Sequence, residues 1–169
     1  MHKFKVYFWK YVPKELFKEL RKESKDRLKD YMNVYIFDTL EEMYAKVDKI
    51  EKTKLGKDYS GRCYPYSKVW TYSDGTLGKL SPMCGNIYLC DEDFTFRTIS
   101  HEVGHAIIGY FGRKVPKYKD IFVETDETYE LIHNPDSIYE ELFCYMLGNI
   151  VNDVVIEYDD VYLKEKEQK

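Results

Sequence analysis

His101-Glu102-Val103-Gly104-His105 sets two histidines four residues apart, with a glutamate beside the first. Around it Ile99, Val103, Ala106, Ile107, Tyr110 and Phe111 fall at helical spacing, so the stretch is expected in an amphipathic helix. On a helix, residues four apart leave from one face. Both imidazoles then reach one metal ion, and Glu102 stands at the edge of that face. Two neutral nitrogens to hold zinc and a carboxylate to take a proton from water are the parts expected of a zinc hydrolase. The chain has only four histidines, His2, His101, His105 and His133, which makes this spacing uncommon by chance. The plainer alternative is an amphipathic helix with two incidental histidines.

The motif helix is expected over 94–111, capped by Asp93 or Thr95 and ended by Gly112 at C′. Gly104 and Ala106 are small enough to let a strand or a substrate approach closely. Directly upstream, Gly85-Asn86-Ile87-Tyr88-Leu89-Cys90 reads as a strand. It is the candidate edge strand, to which an extended peptide would pair by strand addition. Residues 62–72 also suggest a strand, and Ser73-Asp74-Gly75 a turn. The sheet is thus expected within 61–92. Residues 1–60 form an N-terminal strand and helix part. Phe4 to Tyr11 alternates as a strand, and Pro13 opens a surface helix to about Met32. Val34-Tyr35-Ile36-Phe37 is a short strand. Asp38 or Thr39 caps a helix whose Met43, Val47 and Ile50 face inward.

A catalytic zinc site needs a third protein ligand and an open fourth position. A histidine six residues after His105 would serve, but that residue is Phe111. A glutamate on a later helix remains. Asn134-Pro135-Asp136-Ser137 starts a helix over 137–158, with Phe143, Met146, Leu147, Ile150, Val151 and Val154 as its apolar stripe. Its first turn carries Glu140 and Glu141. Ser137 and Glu140 fit a capping box, which would turn Glu140 back toward the helix start. Glu141, beside Tyr145 and Gly148 at the stripe's margin, is the favoured ligand, although the helical wheel alone does not exclude Glu140. Both also suit the positive end of a helix dipole without any metal. Tyr110, Tyr145 and His133 are candidates to stabilise a developing oxyanion.

The 169 residues suit one domain of α+β class, long enough for a core without staples. Net charge is −4 with both signs interspersed, and no basic block marks a nucleic-acid surface. The 17 tyrosines read chiefly as compositional bias. No apolar run is long enough for a membrane span. Met1 to Lys10 lacks the uninterrupted apolar region of a signal peptide, so a cytoplasmic protein is expected. Cys63, Cys84, Cys90 and Cys144 are then reduced thiols, and Cys84 and Cys90 flank a strand rather than form a second metal site. Asp159-Asp160 and Lys164-Glu165-Lys166-Glu167 read as a solvated helix end or tail.

His101-Glu102-Val103-Gly104-His105-Ala106, followed by Glu141-Leu142-Phe143-Cys144-Tyr145-Met146-Leu147-Gly148, resembles the small HExxH gluzincin-like metallopeptidases, many of them encoded by phages and mobile elements. Phe94-Thr95-Phe96-Arg97 is more distantly similar to metallopeptidase domains of the ImmA/IrrE type. The resemblance covers roughly residues 85–155. It implies a zincin-like fold: a small mixed or antiparallel sheet, the motif helix and a C-terminal ligand helix. It implies Zn2+ on His101, His105 and Glu141, with Glu102 as general base in peptide-bond hydrolysis, in the host cytosol if the gene is a phage's. The alternative is a protein of the same origin that holds zinc but binds or inhibits a partner without cleaving it. The intact Glu102 speaks for cleavage.

Overall fold

The computed structural model describes residues 1–11, 30–52, 59–65, 82–114, 122–124, 129–131 and 138–168. Strands β1 (His2–Tyr7), β2 (Tyr31–Phe37), β3 (Gly61–Pro65) and β4 (Met83–Cys90) form one sheet in the order β1-β2-β4-β3. The outer pairs are antiparallel and β2 runs parallel to β4. A parallel pair needs a long crossover, and α1 (Leu40–Glu51) lies on it. Thr39 starts α1: its backbone is extended and its hydroxyl accepts from the Glu42 N–H at 3.2 Å.

Both faces of the sheet are covered. Val34, Ile36, Ile87 and Leu89 pack on one side against α2 (Phe96–Lys114) and α3 (Ile138–Glu157). Tyr35, Phe37, Tyr88 and Cys90 pack on the other against Met43 and Val47 of α1. Burial on both faces explains why β2 and β4 read as continuous apolar runs rather than alternating ones. The architecture is mixed α+β, with helices on both sides of a mixed sheet.

A bulge breaks the β2–β4 register between Tyr31 and Met32. Gly85 takes φ +145° there, and a Cβ would lie 2.0 Å from the Tyr64 carbonyl oxygen, so glycine alone fits. The bulge turns Cys84 toward the α2 and α3 side while Cys90 faces α1. The two thiols therefore face opposite sides of the sheet. None of the four cysteines is in a disulfide.

Several expectations need correction. Residues 85–90 are not an edge strand: they lie in β4 between β2 and β3, and β3 is the edge among the described residues. A buried strand has no free backbone row to offer a peptide. The first strand ends at Tyr7, and Phe8–Tyr11 form a 3-10 turn that drives Phe8 and Tyr11 into the core. Phe8 stacks on Tyr110 at 4.4 Å, and Tyr11 donates to Asp153 at 2.7 Å. The helix expected from Pro13 lies outside the described residues, except that Tyr31 and Met32 at its end belong to β2. The part of the 62–72 strand beyond Pro65, and the Ser73-Asp74-Gly75 turn, also lie outside them. The motif helix does not stop at Gly112 but continues to Lys114. A hairpin of β5 (Phe122–Glu124) and β6 (Tyr129–Leu131) follows, which the sequence reading lacked.

The C-terminus is a helix end rather than a tail. The helix continues through a π-helical turn over Tyr158–Tyr162 into α4 (Leu163–Glu167), which lies against the sheet ends. Tyr162 donates to Asp38 at 2.5 Å and Lys166 to Asp91 at 2.5 Å. Tyr158 stacks on Phe94 and donates to Asp91. The end of the chain thereby braces the loop that enters α2. Among the described residues no helix is long and apolar enough to cross a membrane.

Candidate active site

Thr95 caps α2: its hydroxyl accepts from the Thr98 N–H at 3.1 Å, and its carbonyl accepts from the Ile99 N–H at 3.0 Å. Of the two expected caps, Thr95 holds this place; Asp93 uses its carbonyl to accept from the Thr95 N–H. Ile99, Val103, Ala106, Ile107 and Tyr110 are buried against the sheet and α3. Ile99, Val103 and Ile107 each contribute roughly 1.5–3 kcal/mol by burial, so the rotation of α2 about its axis is set firmly. That rotation leaves His101 and His105 exposed on the outer face.

The two imidazoles converge. Their Nε2 atoms stand 3.2 Å apart with the rings nearly perpendicular. Two nitrogens on a tetrahedral zinc at about 2.0–2.1 Å each would be separated by roughly 3.3 Å. The spacing therefore suits one ion. Desolvation lowers the His105 pKa, and the positive potentials of His101 and Arg62 lower it further. The neutral imidazole that a metal requires is favoured.

Glu102 is buried at 6 % exposure, one position round the helix from His101. Burial pushes its pKa up to about 7, while Arg62 and a hydrogen bond from the Cys63 backbone amide pull the other way. A carboxyl poised near neutrality can take up and release a proton at working pH. Its position depends on close packing of α2 on β3. A Cβ on Gly61 would lie 2.9 Å from Glu102 Cγ and 2.8 Å from Thr98 Cγ2, and one on Gly109 would lie 2.4 Å from Pro65 Cβ. Gly61 and Gly109 therefore permit the close approach expected of Gly104 and Ala106. Gly104 has nothing within 4 Å of its Cβ position, and Ala106 is core.

A cleft of about 520 Å³ opens beside these groups. Tyr59, Ser60 and Gly61 form one wall; Thr98, His101 and Glu102 line the α2 side, with Asp93 and Arg97 toward the helix start. Hydroxyl and charged groups dominate the lining, in keeping with a polar ligand.

Among the described residues no third His, Cys, Asp or Glu joins the two histidines. Glu141 falls in the first turn of α3, which packs against α2. Its side chain and that of Glu140 lie outside the described residues, as does His133. Tyr110 is no oxyanion donor: it is 3 % exposed and stacked on Phe8, about 180° round the helix from His101. Tyr145 is 52 % exposed on α3 and does not line the cleft. The sequence reading missed Gly61, the Cys63 amide and Arg62. A lone glycine and a backbone N–H carry no pattern, and only the pairing of β3 with β4 brings them to Glu102.

Comparison of the chain with known protein families, with curated proteins and with solved structures finds no match.

Proposed function

We propose that the chain is a zinc-dependent peptidase of zincin-like fold, with His101, His105 and Glu141 holding the metal and Glu102 acting as general base. One observation carries this reading. Two imidazole nitrogens 3.2 Å apart adjoin a buried carboxyl, and a polar cleft opens onto both His101 and Glu102. A structural metal site needs no buried carboxyl of raised pKa at its side; hydrolysis does.

Zinc supplies, when bound, a Lewis acid for the scissile carbonyl and a lowered pKa for the attacking water. Glu102 takes a proton from that water and later hands it to the leaving amine. The Cys63 amide holds the carboxylate in place between these transfers. Burial favours the neutral form of His105, and the packing of α2 fixes both imidazoles in place. A peptide substrate lies extended along β3, the sheet edge nearest Glu102 among the described residues, in a cytoplasmic setting.

The test is metal content by mass spectrometry on untagged protein, beside His101→Ala and Glu141→Ala, and cleavage of a peptide library by wild type and Glu102→Gln. About one zinc per chain, lost in both ligand variants, with cleavage that needs Glu102, supports the reading. A protein that takes up no zinc sinks it. Zinc without Glu102-dependent cleavage leaves a metal-containing binding protein.

A further inference from the structure

Arg97 stands one helical turn before His101 and lines the same cleft. Arg97, His101 and His105 follow one another at four-residue spacing, so all three leave α2 on one side. Arg97 and Asp93 both line the cleft, and their charged groups make no ion pair or side-chain hydrogen bond among the described residues. The Arg97 backbone carbonyl accepts from the Ser100 hydroxyl, which leaves the five N–H donors of its guanidinium without a partner among the described residues. Asp93 lies four residues further from His101, beyond Arg97. Arg97 thus brings a guanidinium to this part of the cleft, with the Thr98 and Ser60 hydroxyls in the same lining and the Asp93 carboxylate toward the helix start.

The direction of the cleft follows from the packing. Gly61 abuts Thr98 and Glu102, and Pro65 abuts Gly109, so β3 and α2 run the same way. A peptide paired antiparallel to β3, the more stable arrangement, runs from the Pro65 end toward Gly61. Its C-terminal side therefore enters the Arg97 cleft. Four helical residues advance about 6 Å, and an extended chain covers that in about two residues.

We propose that this cleft is a carboxylate subsite, in which Arg97 takes an acidic side chain or a free terminal carboxylate one or two residues to the C-terminal side of the cleaved bond. The guanidinium fork matches a carboxylate in geometry and charge. The place of the anion relative to the bond rests on the peptidase reading; its binding to Arg97 does not.

Three probes test it on the full chain, with and without zinc: N-acetyl-tetraalanine with a free carboxylate, the same peptide as its C-terminal amide, and an amidated N-acetyl-Ala-Ala-Glu-Ala. NMR titration gives each Kd and follows the Arg97 side-chain N–H. At low salt an acid should bind about tenfold more tightly than the neutral amide and shift the Arg97 resonance. Whichever acid does so identifies the source of the carboxylate. Arg97→Gln should erase the preference, Arg97→Lys should keep part of it, and neither should change zinc content. Equal binding of the amide, an acid preference that survives Arg97→Gln, a still Arg97 resonance, or no binding of any peptide would overturn the proposal. Failure of the peptidase reading shows separately, as no zinc uptake or no cleavage, while the carboxylate preference is still read on the metal-free chain.

Discussion

Replacing Gly61 with alanine tests the contact on which the Glu102 geometry depends. The new Cβ would lie 2.8 Å from Thr98 Cγ2 and 2.9 Å from Glu102 Cγ. Carbon atoms prefer about 3.5–4.0 Å, so each contact is short by roughly 0.6–1.2 Å. Neither neighbour yields freely. Thr98 is β-branched on a helix, and its hydroxyl pairs with that of Thr95 at 3.0 Å. Glu102 is buried and tied to the Cys63 amide. Either β3 and α2 separate, or Glu102 leaves its rotamer and its bond. Overpacking of this kind costs about 1–3 kcal/mol, to be read from urea denaturation of the metal-free protein. A displacement near 1 Å at a reacting group costs on the order of a hundredfold in rate, so any Glu102-dependent cleavage should fall far more than stability does. Zinc content should hold, because His101 and His105 lie on the exposed face. Thr98→Ser removes one clashing methyl, and in the double variant it should restore about half the lost stability. Unchanged stability in Gly61→Ala, or no rescue by Thr98→Ser, would refute close packing of β3 on α2 as the reason for a glycine here.

Burial raises the Glu102 pKa from its ordinary 4.5 to about 7. The folded metal-free protein thus keeps a proton that the unfolded chain releases, and the associated stability is full below pH 4.5 and lost as pH rises through about 7. The difference between wild type and Glu102→Gln should therefore change by on the order of 3 kcal/mol across that window, and a flat difference in denaturation midpoints would contradict the burial. Glu141→Ala should lower zinc affinity more than Glu140→Ala, as competition with a chelator would reveal; the reverse order moves the ligand to Glu140. Gly148 sits in α3 with nothing within 4 Å of its Cβ position, so Gly148→Ala should raise stability by about 0.5–1 kcal/mol, measured by thermal denaturation. Removing the Tyr162 hydroxyl as Tyr162→Phe breaks its bond to Asp38, whose pKa that bond holds below the usual carboxylate range. NMR titration should then find the Asp38 carboxyl higher than in wild type.

Local chemistry is legible in the chain itself. Helical period placed His101 and His105 on one face with Ile99, Val103, Ile107 and Tyr110 opposite, because side-chain direction on a helix is set by spacing alone. Caps such as Thr39 and Thr95 were readable for the same reason: their partners lie three residues away. The apolar runs in β2 and β4 identified strands, but a run buried on both faces does not say which strand is its neighbour. Strand order was therefore misjudged, and the edge passed from residues 85–90 to β3. Everything that depends on that order came from the tertiary structure. It brings Gly61 and the Cys63 amide against Glu102, raises the Glu102 pKa by burial, and opens a cleft between Tyr59 and Arg97. These contacts span about 40 residues of chain, 37 from Gly61 to Thr98 and 41 from Gly61 to Glu102. Sequence spacing encodes neighbours within a few turns; the meeting of distant backbone groups is decided only when the sheet closes and the helix packs down on it.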